Sequence, residues 1–523
     1  PILLRSFLLW KSIYKKDAAF LAPFSESFNE LAYCRYKMGT PSKLILKSAN
    51  KICSLLSDRK EAGKERIQIA LSACLRNLGI LHKIYGDVEL LERMTTQSVI
   101  LLKNLDQDNS TVQKELALSL RNRGIALWNK KKWDDAVNAT QESVKLWRNL
   151  DQHDPEIRKE LAWTLYYLRI NLEKKKEWNW DDAFKVDQES VKLWRSLDQH
   201  DPKIRKELAR TLHNLGANLR DQKKWNDAHK VTQESVELWR SLDQHDPEIK
   251  NGLAQSLYCL GVDWRNEEKW DDALNADKES VELWRNLDQN NPKVRKELAQ
   301  SLFGLGVDLR NKKKREDTLD AHREGEKILR NLDQNDPEIR RKLAKSLFCL
   351  GLNLSEKGAW EAALKPALES VELWRSLDLN NPEIRKEMAY ALSLQGFVLK
   401  QEYIWDEALK TDQESEKFWR SLDQNDPEIK RGVAQSLFAL GVDLLSGEDK
   451  DENRDEILRK IEEGVSILRD LDQNKWEPRH ELILYLGFLA DTLNEFELYD
   501  QEQEVRRERE ELLKSLPELA LNK

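Results

Sequence analysis

The sequence is poor in the residues that cross-link, interrupt or anchor a chain. Its 523 residues include only five cysteines, and no two of them form a Cys-x-x-Cys pair. This cysteine usage favours a reduced chain, and we expect a cytoplasmic location. The 13 prolines and 19 glycines are too few for a disordered or loop-rich protein. No run of about 20 apolar residues occurs, so no membrane-spanning helix and no membrane partner are expected.

A strong charge imbalance is also missing. The formal net charge is −7 although 34% of the residues are charged. This balance gives no general attraction to nucleic acid, so we expect no nucleic-acid partner. Many charges with little proline and glycine indicate long, solvated helices.

Catalytic and metal-binding motifs are absent from the sequence. Gly63-Lys64 lacks the upstream glycine and the following Ser or Thr of a phosphate-binding loop, and no HExxH or GxSxG motif occurs. A histidine recurs in three successive copies of a repeated segment that is described below, at His153, His200 and His245. If each copy forms one pair of helices, neighbouring histidines lie about 10 Å apart. Three histidines at that spacing cannot bind one zinc ion. We therefore predict no enzyme activity, no metal site and no cofactor.

What the sequence does contain is one segment copied many times. The motif Leu-Asp-Gln, once Leu-Asp-Leu, recurs with a step of 45 residues, except for one step of 47 and one of 49. Its leucines are Leu105, Leu150, Leu197, Leu242, Leu287, Leu332, Leu377, Leu422 and Leu471. A fixed period of this length predicts stacked units that bury their apolar faces on their neighbours.

Each copy predicts two helices. Asp246-Pro247-Glu248 is a helix start, with a capping carboxylate before proline at the first helical position. Gly261 lies inside this helix, and glycine recurs at the same place in all copies except one, where Arg169 replaces it. Since glycine destabilises a helix interior, its recurrence predicts that two helices cross closely there. The second helix is expected to begin near Trp270 and to continue through the Leu-Asp-Gln motif.

These residues resemble the tetratricopeptide repeat family. The family pattern appears as Leu257, Leu260-Gly261, Trp264, Ala273 and Ser280, and it recurs in register over roughly residues 62–500. The resemblance implies an all-α, right-handed superhelical solenoid of antiparallel helix pairs. The long period is similar to that of kinesin-light-chain-like repeats and of arrays in NLR-like signalling proteins.

The repeat pattern predicts three regions. We expect degenerate N-terminal helices or a cap over residues 1–61, the repeat array over 62–473, and C-terminal capping helices over 474–523. Terminal pairs with irregular outer faces are typical of solenoids, because the last apolar face has no neighbour.

The family resemblance implies where a partner binds, since the first helices of such repeats line a concave groove. Counted from the recurring glycine, the predicted groove has an aromatic position, an amide position and a cation position. The aromatic position holds Tyr166, His213, Tyr258, Phe303, Phe348 and Phe438. The other two positions hold Gln255 and Gln300, and Arg220, Arg265 and Arg310.

Such a groove suits a protein or peptide with acidic and apolar side chains. We therefore predict a non-catalytic scaffold that binds a partner segment, as the sensor or scaffold arm of a larger signalling protein. Three alternatives stay open. The rings can instead close the seam between neighbouring first helices. The array can be a spacer or self-association rod that acts through its edges or caps. It can also be the regulatory arm of an NLR-like ATPase or a caspase-like protease.

Overall fold

The computed structural model describes residues 65–84, 87–173, 180–447, 449–471 and 476–514. They divide into two compact units, and the first ends at Asn266. Its described part consists of nine helices: α1 (Glu65–Ile84), α2 (Val88–Lys103), α3 (Ser110–Asn129), α4 (Trp133–Asn149), α5 (Pro155–Glu173), α6 (Trp180–Arg195), α7 (Pro202–Asp221), α8 (Trp225–Arg240) and α9 (Pro247–Asn266).

The second unit begins at Glu267, and its described part has the same regular composition. Its helices are α10 (Trp270–Arg285), α11 (Pro292–Asn311), α12 (Arg315–Arg330), α13 (Pro337–Glu356), α14 (Trp360–Arg375), α15 (Pro382–Gln401), α16 (Trp405–Arg420), α17 (Pro427–Ser446), α18 (Arg454–Arg469), α19 (Trp476–Glu495) and α20 (Tyr499–Lys514).

No strand occurs in the described residues of either unit. Within each unit every helix packs against the next one along the chain, and short turns make these neighbours antiparallel. The predicted all-α fold of repeating helix pairs is therefore confirmed. None of the described helices is both long and apolar enough to cross a membrane. Odd-numbered helices are called first helices below, and even-numbered ones second helices.

The first helices begin where the sequence predicts. The Asp246 carboxylate accepts a hydrogen bond from the Glu248 backbone N–H at 2.8 Å, and Asp201 caps α7 in the same way. The cap satisfies one of the N–H groups that a helix start leaves without a partner, and proline follows at the first helical position.

The turn between paired helices uses a left-handed residue that is seldom glycine. Lys131, Lys223, Lys313 and Tyr403 have φ between 57° and 59°, whereas Gly358 occupies this place in one copy. In the first of these turns the Lys132 N–H donates to the Leu127 carbonyl at 3.0 Å, and the Lys131 N–H donates to the Trp128 carbonyl at 3.0 Å. This hydrogen-bond pattern is that of a Schellman cap.

The second helices end earlier than predicted. We expected α10 to continue through Leu287 and Asp288, but it ends at Arg285. The Gln289 side-chain amide instead donates to the carbonyls of Trp284 at 2.7 Å and Leu287 at 2.9 Å. Gln244 makes the same two bonds after α8. The repeated Leu-Asp-Gln motif is therefore a C-terminal cap and connector.

The recurring glycine does mark a close helix crossing, as predicted. A Cβ atom added at Gly124 would lie 2.6 Å from the Thr140 side chain, and one at Gly216 would lie 2.6 Å from that of Thr232. Both threonines lie on the second helix of the same pair. A methyl group at either glycine would force the two helices apart. Glycine therefore occurs at this position although it destabilises the interior of a helix.

The structure describes the predicted C-terminal region in part and the predicted N-terminal region not at all. The predicted N-terminal segment, residues 1–61, lies outside the described residues. Two helices, α19 and α20, lie in the predicted C-terminal region, and the first of them contributes Leu486 and Leu489 to a buried cluster with α18. The assignment of both ends as caps stays a prediction.

Candidate functional site

All predicted groove residues lie on first helices, but they fall in both units. Those in the first unit are Tyr166, His213, Arg220, Gln255, Tyr258 and Arg265, and those in the second are Gln300, Phe303, Arg310, Phe348 and Phe438. All of them are half-buried except Arg310, which is exposed. Each unit is described separately.

In the first unit the aromatic position joins neighbouring first helices. His213 on α7 lies 3.3 Å from the Ser256 hydroxyl on α9, measured from its Nδ1 atom. Burial lowers the pKa of His213 to about 3, and the positive charge of Arg220 adds to this effect. Within α5, Tyr166 packs edge-on against Trp163, with their ring centroids 5.9 Å apart. The His213 contact therefore joins successive repeats, whereas the Tyr166 contact lies within one helix.

The aromatic side chains at this position in the second unit also contact neighbouring helices. Phe438 on α17 stacks on Tyr485 of α19 with centroids 4.0 Å apart. Phe303 contacts the His322 ring edge-on at 5.9 Å, and Phe348 packs against two buried clusters. The rings therefore contribute to the seams between helices, and their remaining exposure is what a partner could contact.

The amide position carries polar contacts between successive first helices. The Lys342 ammonium donates to the Gln300 side-chain oxygen. Further bonds at equivalent places run from Arg210 to Glu248 at 2.6 Å and from Gln435 to Glu481 at 2.8 Å. Much of the hydrogen-bonding capacity at this position is therefore used inside the array.

The cation position is neutralised in both units. The Arg220 guanidinium donates to the buried Asp263 carboxylate at 3.0 Å and to the Thr232 hydroxyl at 3.1 Å. Burial raises the pKa of Asp263 while Arg220 opposes that rise. Arg310 forms a two-bond pair with Glu356. These cations are not freely available to an acidic partner.

Sequence reasoning missed a set of buried carboxylates beside the helix crossings. Asp187 faces Arg169, the one residue that replaces the recurring glycine, with a distance of 3.0 Å from Nε to Oδ2. Asn218 of the next first helix donates to the same oxygen at 2.6 Å. Burial raises the pKa of Asp187 to about 7, against the opposing charge of Arg169. An aspartate within the apolar stripe of a second helix was the available signal.

A second such group lies near the end of the array. The Lys400 ammonium contacts both Asp412 and Asp443, and each carboxylate is at most 3% exposed. Burial raises the pKa of both carboxyl groups, although Lys400 opposes the rise. These groups link three helices, α15, α16 and α17, and they behave as structural ion pairs.

Two aromatic pairs with exposed rings, near the turns between paired helices, were also missed. Tyr403 is 81% exposed and Phe397 is 44% exposed. Phe397 lies 5.7 Å from Trp360, and Tyr403 lies 6.5 Å from Trp405, between ring centroids. Lysine occupies the place of Tyr403 in three other copies, which makes the edge formed by these turns locally apolar.

No group of three or more His, Cys, Asp or Glu side chains could hold a metal ion within the part of the chain that the structure describes. The predicted absence of enzyme activity and of a cofactor stays a prediction.

Comparison with known proteins identifies the repeat. A sequence profile of the tetratricopeptide repeat family matches residues 208–242, a segment that the chain copies in register along the array. The matched segment is a tetratricopeptide repeat, and the other copies align with it in register. Repeat arrays of this type are typical protein-interaction scaffolds. No curated protein matches the chain.

Among solved structures, the apo form of RapI is 12% identical over 76% of this chain and 98% of its own, with a TM-score of 0.50. A Rap protein complexed with competence and sporulation factor is 13% identical over 77% of this chain and 98% of its own, with a TM-score of 0.42. A putative kinesin light chain with nearly identical TPR-like repeats from Podosopora anserina is 12% identical over 42% of this chain and 98% of its own, with a TM-score of 0.33. Identities this low concern the fold alone.

Proposed function

We propose that this tetratricopeptide array is a non-catalytic scaffold that binds a protein segment on its first-helix face. The observation that carries the proposal is the half-exposed aromatic position, which recurs in both units beside polar side chains. Recurring rings of this kind provide a row of shallow apolar contacts for an extended or helical segment.

The internal ion pairs narrow the chemistry of the partner. Arg220 and Arg310 already contact carboxylates, so an acidic partner would have to displace Asp263 or Glu356 to reach them. We therefore expect apolar side chains to supply most of the binding free energy. Acidic side chains would add to the association rate more than to affinity.

Photo-crosslinking tests the face while an aromatic ring is kept at each aromatic position, so the packing by those rings is retained. We would place a photoreactive phenylalanine analogue at Tyr258 on the first-helix face, at Tyr403 on the aromatic edge, and at Glu282 on the exposed face of a second helix. Each variant would be irradiated in host lysate, and the crosslinked products would be identified by mass spectrometry.

The proposal predicts that position 258 captures a partner that position 282 does not. Circular dichroism would check that all three variants keep their helical content. If the partner crosslinks at position 403 alone, the edge is the binding surface and the first-helix proposal is wrong. If position 403 captures a second copy of the chain, the array is a self-association rod.

A further inference from the structure

Two second helices of the second unit, α12 and α18, begin with arginine, at Arg315 and Arg454. Arg315 stands where six other copies have tryptophan, namely Trp133, Trp180, Trp225, Trp270, Trp360 and Trp405. Thr318 likewise replaces an alanine that the same six copies share. In one of those copies Trp133 packs edge-on against Trp128, with centroids 5.8 Å apart. Arg310 lies at the position of Trp128, and Arg315 lies at that of Trp133. Two guanidinium groups therefore stand where that copy has two indole rings.

A pocket of about 140 Å³ lies at this place. It is lined by Arg310, Lys313, Arg315, Thr318, Asn353 and Glu356. Thr318 and Asn353 are buried at 1% and 6% exposure, whereas the cations lie at the more exposed side. The pocket is therefore a small polar recess with cations at its rim.

The charges of the pocket do not balance. Glu356 forms a two-bond pair with Arg310 and neutralises it. The side chains of Lys313 and Arg315 form no ion pair or hydrogen bond with any residue in the part of the chain that the structure describes. Two positive charges thus face a recess that holds one neutralised pair.

We propose that this pocket binds a dianionic phosphoryl group. Guanidinium and ammonium groups both recognise phosphate oxygens, and the guanidinium can donate two hydrogen bonds at once. Two uncompensated cations match a phosphate monoester, which carries nearly two negative charges at neutral pH. The group can come from a free phosphate ester or from a phosphorylated side chain. The site does not depend on the first-helix proposal, because inorganic phosphate alone tests it.

The first experiment is calorimetric titration of the full chain with inorganic phosphate at pH 7.5 and low salt. Three variants accompany the wild type. Arg315→Trp restores the residue of the other copies and fills the pocket. Lys313→Gln removes one free charge. Lys223→Gln is the matched control, since Lys223 has the same turn position and the same φ of 57° in a copy that keeps Trp225.

We expect saturable binding by the wild type, weakened about tenfold or more by Arg315→Trp and several-fold by Lys313→Gln. The control should bind as the wild type does. A fourth variant, Glu356→Gln, should strengthen binding, because it releases Arg310. No saturation up to about 10 mM phosphate, or equal binding by wild type and Lys313→Gln, would overturn the proposal.

The pH dependence separates a dianion from a general anion effect. Inorganic phosphate should bind more weakly as the pH falls through its second pKa of about 7, and a phosphate monoester as the pH falls through about 6. Sulfate binding should not change over the same range. A parallel loss for both ions would mean that the protein and not the ligand titrates, which contradicts the proposal. A phosphoserine peptide that binds more tightly than free phosphate assigns the source to a phosphorylated protein. If the peptide and free phosphate bind with equal affinity, the phosphoryl group comes from a small phosphate ester.

Discussion

The exchange of glycine for Arg169 predicts an energetic coupling that can be measured directly. Arg169 on α5 is 11% exposed and its partner Asp187 on α6 is 3% exposed, by side chain. In the neighbouring repeats this place is a glycine that faces a threonine, as in Gly124 with Thr140. Arg169→Gly would therefore leave Asp187 without its cation.

The expected loss is large because the remaining carboxylate is buried. Removal of one partner of a buried ion pair destabilises a protein by about 3–5 kcal/mol. The new glycine adds about 1 kcal/mol, since it lies inside a helix. Protonation of Asp187 relieves part of this loss, so the variant should lose less stability at pH 5 than at pH 8.

The double variant Arg169→Gly with Asp187→Thr should recover most of the stability. It recreates the glycine and threonine of the neighbouring repeats. In one of them Asn171 already donates to the Thr140 hydroxyl at 3.2 Å, as Asn218 donates to Asp187. We expect the double variant to lie within about 1 kcal/mol of the wild type, so Asp187→Thr should restore at least about 3 kcal/mol in the Arg169→Gly background.

Native-state hydrogen exchange, read by mass spectrometry, is the appropriate assay. Repeat arrays open locally, so exchange of the α5 and α6 amides reports the free energy of opening at this site. Peptides from the second unit serve as the internal control. If Arg169→Gly exchanges like the wild type, or if the double variant exchanges as fast as that single variant, the coupling does not exist and the reasoning is wrong.

Three further predictions concern the turns and the seam. Gly358 and Lys223 both have a left-handed φ in equivalent turns. Gly358→Ala should therefore destabilise the protein by about 1 kcal/mol, and Lys223→Gly should stabilise it slightly. Thermal melts of both variants and the wild type measure these changes. Gln244→Leu should cost about 1 kcal/mol and speed exchange at the end of α8, since two carbonyls lose their donor. His213 has its pKa lowered to about 3 by burial, so below about pH 6.5 the unfolded chain binds a proton that the folded chain does not. Stability should therefore fall by about 2 kcal/mol between pH 7 and 5 in urea titrations of the wild type, and by less in His213→Phe.

The candidate face was only partly predictable from the sequence. Register along the repeat correctly placed Tyr258, Phe303 and Arg310 on first helices. It did not show that Arg310 pairs with Glu356, because those residues are separated by a whole repeat. Register also identified Leu-Asp-Gln as a landmark but misjudged it as helix, since a glutamine that caps backbone carbonyls has no periodic signature.

The sequence by itself determined the helix pairs, their caps and their close crossings. These features depend on contacts within one copy, and similar copies repeat them in register, as Asp246 before Pro247 does at the helix start. The tertiary structure decided which charges are available. Side chains such as Arg220 and Asp263 meet only when repeats stack, and burial then sets both their pairing and their pKa. Among the described residues, the same stacking leaves the side chains of Lys313 and Arg315 without ion pairs, at a pocket where arginine replaces tryptophan.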